Sequence, residues 1–143
     1  MFQRILIAWD GSEVALRAFD VAIDLTRRFE GELLALSIAH SPAHAETEAD
    51  RAESAEAARD YLTQTFAEVR DRAERAGIDV EHRVLAGEDA GQALLDYAHD
   101  HGLDLLICGH HHERRAGRLL LRGVAEGLVG RSRIPVLVVA EPD

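Results

Sequence analysis

The sequence predicts an α/β fold in which helices cover both faces of a five-stranded parallel sheet. Short apolar runs alternate with longer amphipathic stretches along all 143 residues, the rhythm of consecutive βαβ units. Glycines fall where the pattern changes, at Gly31, Gly77 and Gly87. Two late runs, Leu105-Leu106-Ile107-Cys108 and Pro135-Val136-Leu137-Val138-Val139, are apolar almost throughout, as buried parallel strands are.

Ile5 to Trp9 is the first apolar run, and it ends at Asp10-Gly11-Ser12. Ser12 is an N-cap candidate for a helix whose Val14, Ala18, Val21, Ala22, Leu25 and Phe29 recur at three- and four-residue spacing. Gly31 is expected to end that helix, and Leu33 to Ala39 form the second strand. The polar stretch from His40 to about Ala49 contains Pro42 and reads as a loop. A long amphipathic helix follows from near Asp50 to Ala76, with Ala55, Leu62, Phe66, Val69 and Ala73 as its stripe and Gly77 as its stop. Val80 to Leu85, followed by Gly87, is the third strand, and the alternation of Val80, His82 and Val84 with Glu81 and Arg83 marks an edge. A third helix spans about Asp89 to His101, and the fourth strand opens at Leu105 and ends in Gly109. A fourth helix covers roughly Leu119 to Val129, and Ile134 to Ala140 is the fifth strand. With no repeat or low-complexity stretch, residues 1–143 read as one domain.

Right-handed crossovers and short connections leave few orders for five such strands. In the flavodoxin-like (Rossmann-like) three-layer sandwich, order 3-2-1-4-5, the first and fourth strands lie together at a topological switch point, where ligands gather beyond the strands' carboxyl ends. Asp10-Gly11-Ser12 and Gly109-His110-His111-His112 then face one crevice, with Ile38-Ala39-His40 at its side.

Composition narrows the chemistry. The chain is 47% hydrophobic and 29% charged but only 5% aromatic, so Ala, Leu, Val and Ile must build the core. A net charge of −10 argues against nucleic acid as a partner, and no run reaches the roughly 20 apolar residues of a membrane span. The N-terminus lacks the pattern of a secretory signal, and a single cysteine, Cys108, fits a reducing cytoplasm. All 16 basic residues are arginine, so no lysine serves a Schiff base or a P-loop. Six of these arginines lie between Glu113 and Arg133, a segment of net charge +4.

The opening strand into Asp10-Gly11-Ser12, the long second helix, Gly87, Gly91-Gln92, Leu103-Asp104 and the closing Pro135-Val136-Leu137-Val138-Val139 together resemble the universal stress protein family. Many members of that family bind ATP through a signature after the fourth strand: Gly, two residues, Gly, nine residues, then Gly-Ser or Gly-Thr. Glycines let backbone approach phosphate closely, and amides at a helix N-terminus hold the anion. On this chain the first glycine is Gly109, but the second falls on His112 and the final pair on Arg122-Gly123. Side chains thus stand where the family's cradle is bare, and the hydroxyl is missing. Cys108-Gly109-His110-His111, with Gly91-Gln92-Ala93-Leu94 and Asp104, is similar instead to the universal stress protein A branch. That resemblance implies a cytoplasmic homodimer with a stress-protective or regulatory role, no cofactor, no catalytic residues and an unidentified protein partner. It also places the dimer contact at the last strand, around Val136, Leu137, Val138 and Val139, and an apolar edge strand does invite pairing.

The alternative implied by the ATP-binding relatives is an adenine-nucleotide module, a regulatory sensor or weak hydrolase. Its site would comprise Asp10, Gly11, Ser12, Ile38, Gly109, His112, Arg122, Gly123 and Val124, with Asp10 on ribose or base. The plainer reading of Asp10-Gly11-Ser12 is a turn in which Asp10 bonds nearby amides. His110, His112, His40 and Asp10 have the ligand types of a zinc site, but adjacent histidines on an extended turn point apart, so no metal is expected. Arg114, Arg115, Arg118 and Arg122 suit either a phosphate clamp or a solvated face. Cys108 is expected to be a buried, inert thiol and Trp9 a core or pocket-wall residue; Ser12 and Ser132 have no partner base.

Overall fold

The computed structural model describes residues 1–40, 47–111 and 124–141. Its elements run β1 (Arg4–Ala8), α1 (Glu13–Phe29), β2 (Glu32–His40), α2 (Glu48–Arg75), β3 (Val80–Gly87), α3 (Ala90–Asp100), β4 (Leu105–His110), α4 (Val124–Arg131) and β5 (Val136–Ala140). The strands form one parallel sheet in the order β3-β2-β1-β4-β5, the flavodoxin-like arrangement expected from the sequence.

Side chains on a strand alternate between faces, and in the central strands β2, β1 and β4 both faces are largely dry. Ile5, Ile7 and Trp9 point toward α1 and α2, joining Phe19, Phe66, Leu105 and Ile107. Leu6 and Ala8 point the other way, with Leu36, Ile38, Leu94, Leu106, Cys108 and Leu128 beneath α3 and α4. Residues 5–8 of the central strand are wholly buried. Trp9 is a core residue: its ring meets Phe19 and Phe66 edge-on, and its Nε1 donates to Thr65 Oγ1 at 3.1 Å. Asp104, just before β4, accepts from the Gln3 and Arg4 amides at 2.9 and 3.1 Å and so ties the start of β1 to β4.

Several boundaries differ from the expectation, each for a local reason. Glu30, not Gly31, takes the left-handed conformation that ends α1, with φ of 53°. Gly31 is needed for space instead: a Cβ there would lie 2.8 and 2.9 Å from the Phe2 and Gln3 carbonyl oxygens. The buried face of α1 includes Ala15, Phe19, Ile23 and Thr26, while the expected Val21, Leu25 and Phe29 lie at its margin. β4 continues through His110 rather than ending at Gly109, and β5 begins at Val136 rather than Ile134. His40 belongs to β2 rather than to the following loop, and α2 begins at Glu48. The rest of that loop, 41–46, lies outside the described residues, as do 119–123 of the expected fourth helix. Among the described residues, no helix is long and apolar enough to cross a membrane.

Candidate functional site

β1 and β4 are neighbours, and the chain leaves them in opposite directions across the sheet, so their carboxyl ends form the switch point. On the β1 side, Gly11 takes a left-handed φ of 82° under the α2 side chains Tyr61 and Thr65. This tight turn folds Ser12 back over Asp10. The Asp10 Oδ1 accepts from the Ser12 amide at 2.9 Å and from the Ser12 hydroxyl at 2.5 Å, while Ser12 Oγ accepts from the Ala15 amide at 3.2 Å. A relay of donors therefore anchors the N-terminus of α1 on one carboxylate.

The second carboxylate oxygen faces the histidine turn. Asp10 Oδ2 has no hydrogen bond, and His111 Nε2 stands 3.5 Å away, at ion-pair rather than hydrogen-bond distance. The two side chains are only 1% and 5% exposed. Burial by itself pushes the Asp10 carboxyl up, but the nearby His111 ring and the Ser12 donors outweigh it and hold the group below its ordinary value. Asp10 is thus a buried carboxylate with one oxygen bonded by Ser12 and the other covered by the His111 ring.

Strand alternation explains why His111 is the partner. Gly109 faces α1, where an added Cβ would lie 2.9 Å from Val14 Cγ1, 3.0 Å from Cγ2 and 3.1 Å from the Val14 carbonyl carbon. Two residues on, His111 returns to that side, whereas His110 points to the opposite face. There His110 Nε2 meets Glu126 Oε1 of α4 at 2.6 Å. Gly109 is thus required by close helix–strand packing. Gly109→Ala should destabilise the protein by about 1–3 kcal/mol through overpacking. Val14→Ala in the same chain should recover part of that loss, as read by urea denaturation.

The structure therefore brings Asp10, Gly11, Ser12 and Gly109 to one point. Ile38 lies apart from this polar cluster in the core on the α3 side, 1% exposed, with its Cγ2 close beneath Gly87. Val124 opens α4 half-buried beside Gly91. His112, Arg122 and Gly123 lie outside the described residues, as do Arg114, Arg115 and Arg118. His111, 3.5 Å from Asp10 Oδ2, is not among the residues expected to bind a nucleotide, although its turn is expected at this crevice. Of the histidines weighed with Asp10 as ligand types (His110, His112 and His40), His110 is turned away toward Glu126 and so does not converge with Asp10 on a metal. Among the described residues, no cluster of three or more His, Cys, Asp or Glu is placed to hold a metal ion. Cys108 is buried, and burial pushes its thiol up to about 12, which leaves it protonated and inert.

A second polar chain reaches the crevice from the sheet edge. Ser37 Oγ donates to the Trp9 carbonyl at 2.6 Å, which uses its single proton, so His82 Nε2, 2.8 Å from Ser37 Oγ, must be the donor in that contact. His82 also stacks on Phe66, with centroids 4.3 Å apart. Burial, aided by the Arg70 charge, pushes the His82 pKa down to about 4. The unfolded chain takes this proton near pH 6.5 and the folded chain only near 4, so stability should fall as pH drops through that window. His82→Gln keeps a donor but cannot titrate. Its denaturation free energy should depend less steeply on pH between about 6.5 and 4 than that of wild type.

A doubly wound parallel sheet with polar turns converging at its switch point places this chain among the small flavodoxin-like α/β proteins. It belongs to the universal stress protein family, whose model matches residues 1–140. A universal stress protein of Staphylococcus haemolyticus is 30% identical over 139 residues, covering 96% of this chain and 84% of the relative. The universal stress protein UspA from Lactobacillus plantarum superposes with a TM-score of 0.83 at 20% identity, covering 96% of this chain and 97% of that one. A universal stress protein solved in complex with cAMP matches with a TM-score of 0.73 at 27% identity, covering 99% of this chain and 98% of that one.

Proposed function

We propose that this chain is a cytoplasmic stress-response protein of the universal stress protein A type, which acts without ATP and without catalysis, through homodimerisation and contact with another protein. One observation carries the reading. The His111 imidazole is packed against the Asp10 carboxylate, with both side chains almost completely buried. In the ATP-binding relatives, resemblance assigns the equivalent of Asp10 to the nucleotide; here Ser12 donates to one oxygen of that carboxylate and the His111 ring stands against the other. The replacement of signature residues by His112 and Arg122, and the lost hydroxyl at Gly123, support the same conclusion from sequence. For the dimer, the support is an edge strand, β5, whose Val138 is 37% exposed.

The relative solved with cAMP favours a second reading, in which an adenine nucleotide binds at the set the resemblance implies: Asp10, Gly11, Ser12, Ile38, Gly109, His112, Arg122, Gly123 and Val124. The experiment that separates the two is to purify the tag-free protein, denature it and chromatograph the supernatant. The first reading expects no nucleotide. About one ATP or cAMP per chain would overturn it in favour of the second, and accumulated ADP or AMP would point to hydrolysis.

A further inference from the structure

An open sheet has two edges, and the hydrogen-bonding groups at each can be assigned from the register. The Trp9 amide donates to the Leu36 carbonyl at 3.0 Å and the Glu32 amide to the Gln3 carbonyl at 2.8 Å, so the even-numbered residues of β2 point toward β1 and the odd-numbered ones toward β3. Leu33, Ala35 and Ser37 lie opposite Val80, His82 and Val84. In a parallel ladder, a residue that bonds across the gap faces one whose own groups point away. Val80, His82 and Val84 therefore present their backbone groups at the outer edge of β3.

Two of those carbonyls are already taken. Arg70 Nη1 donates to the Val80 carbonyl at 2.7 Å, and Arg59 Nη1 to the Val84 carbonyl at 3.0 Å. Both arginines come from α2, eleven residues and about three helical turns apart, so the helix spans the edge and clamps it at two points. Arg70 is held in place by its position over the Phe66 ring, 5.1 Å from the centroid.

The opposite edge is different. The Leu106 amide donates to the Pro135 carbonyl at 3.0 Å, and Leu106 lies opposite Val136, so Val136 and Val138 face away from β4. Among the described residues, no side chain donates to the carbonyls of Val136 or Val138.

We propose that Arg59 and Arg70 are edge guards that close β3 to strand pairing, so that self-association is confined to β5 and stops at a closed pair. Two open edges on one parallel sheet permit β5 of one copy to add to β3 of the next, a head-to-tail contact that propagates without end. A two-fold pairing of β5 with β5 closes on itself. Charged side chains at an edge are a general means of preventing such growth, and here the guanidinium groups also occupy the acceptors that an incoming strand needs. The choice of β5 as the assembling edge rests on the reading above; the closure of β3 does not.

The test is the mass of Arg59→Gln/Arg70→Gln by light scattering over a wide concentration range, with hydrogen exchange at the His82 and Val84 amides. The variant should form species at least twice the wild-type mass that grow with concentration, and those two amides should exchange more slowly than in wild type. Arg59→Lys/Arg70→Lys, which keeps charge and donors, should stay at wild-type mass. A folded double Gln variant with wild-type mass at every concentration overturns the proposal. If that variant does not fold, Arg59→Gln alone decides in the same way, since Arg59 is exposed and lies away from Phe66. Val138→Arg judges β5 separately. It should reduce a wild-type dimer to monomer, and a wild type that is already monomeric ends the β5 reading while leaving the Gln variants to decide on the guards.

Discussion

Asp10→Ala is expected to lower the folding free energy by about 3–5 kcal/mol, the sum of two lost hydrogen bonds to a buried charged group. Two donors lose their acceptor at once, the Ser12 amide and the Ser12 hydroxyl, and His111 Nε2 loses the carboxylate it faces at 3.5 Å. The carboxylate is buried and Ser12 half-buried, and hydrogen bonds to charged groups are individually worth about 1.5–3 kcal/mol. Loss of the anchor should also loosen the first turn of α1, because the Ser12 cap on Ala15 is oriented by Asp10. Asp10→Asn keeps one acceptor for Ser12 and should cost less. Asp10 is held below its ordinary range, so its stabilisation is present above about pH 3.8 and is lost as the carboxyl protonates below that. Urea denaturation of the three proteins at neutral pH gives the ranking.

Phe66→Ala should be comparably severe, about 3–5 kcal/mol. The ring is 1% exposed and lies among Trp9, Phe19 and His82, at centroid distances of 5.8, 5.5 and 4.3 Å. It is also the platform beneath Arg70. The helix that carries it is otherwise mostly exposed, with Leu62 and Ala73 its other fully buried side chains among the described residues. A cavity at this position cannot be filled by neighbours on the same helix, so α2 should dock less firmly and its amides should exchange faster than those of α1. His82, stripped of its stacking partner, should titrate closer to pH 6.5. Thermal denaturation and an NMR titration of the His82 ring read the two effects.

Sheet order was legible because parallel strands buried on both faces are short apolar runs, and Ile5–Trp9 and Leu105–Cys108 have that composition without ambiguity. The edge character of β3 was equally visible in its alternation. What the sequence concealed was register. With the fourth strand expected to end at Gly109, nothing assigns directions to the three histidines; with the strand continuing through His110, alternation sends His110 to Glu126 and His111 to Asp10. The glycines misled for a related reason. Gly31 and Gly109 mark places where another part of the chain comes too near for a Cβ, and a close approach leaves no trace in local sequence. Glu30 could then take the left-handed position that sequence assigns to glycine. The guards Arg59 and Arg70 are likewise silent, since an arginine reaching a carbonyl on another element looks like any solvated residue of a polar helix.

The most direct test is calorimetric titration of the tag-free protein with ATP. Wild type, with the Asp10 carboxylate bonded by Ser12 and covered by the His111 ring, should give no heat beyond dilution. Saturable heat at one nucleotide per chain would contradict it, because the imidazole beside that carboxylate would then have to move aside for the ligand.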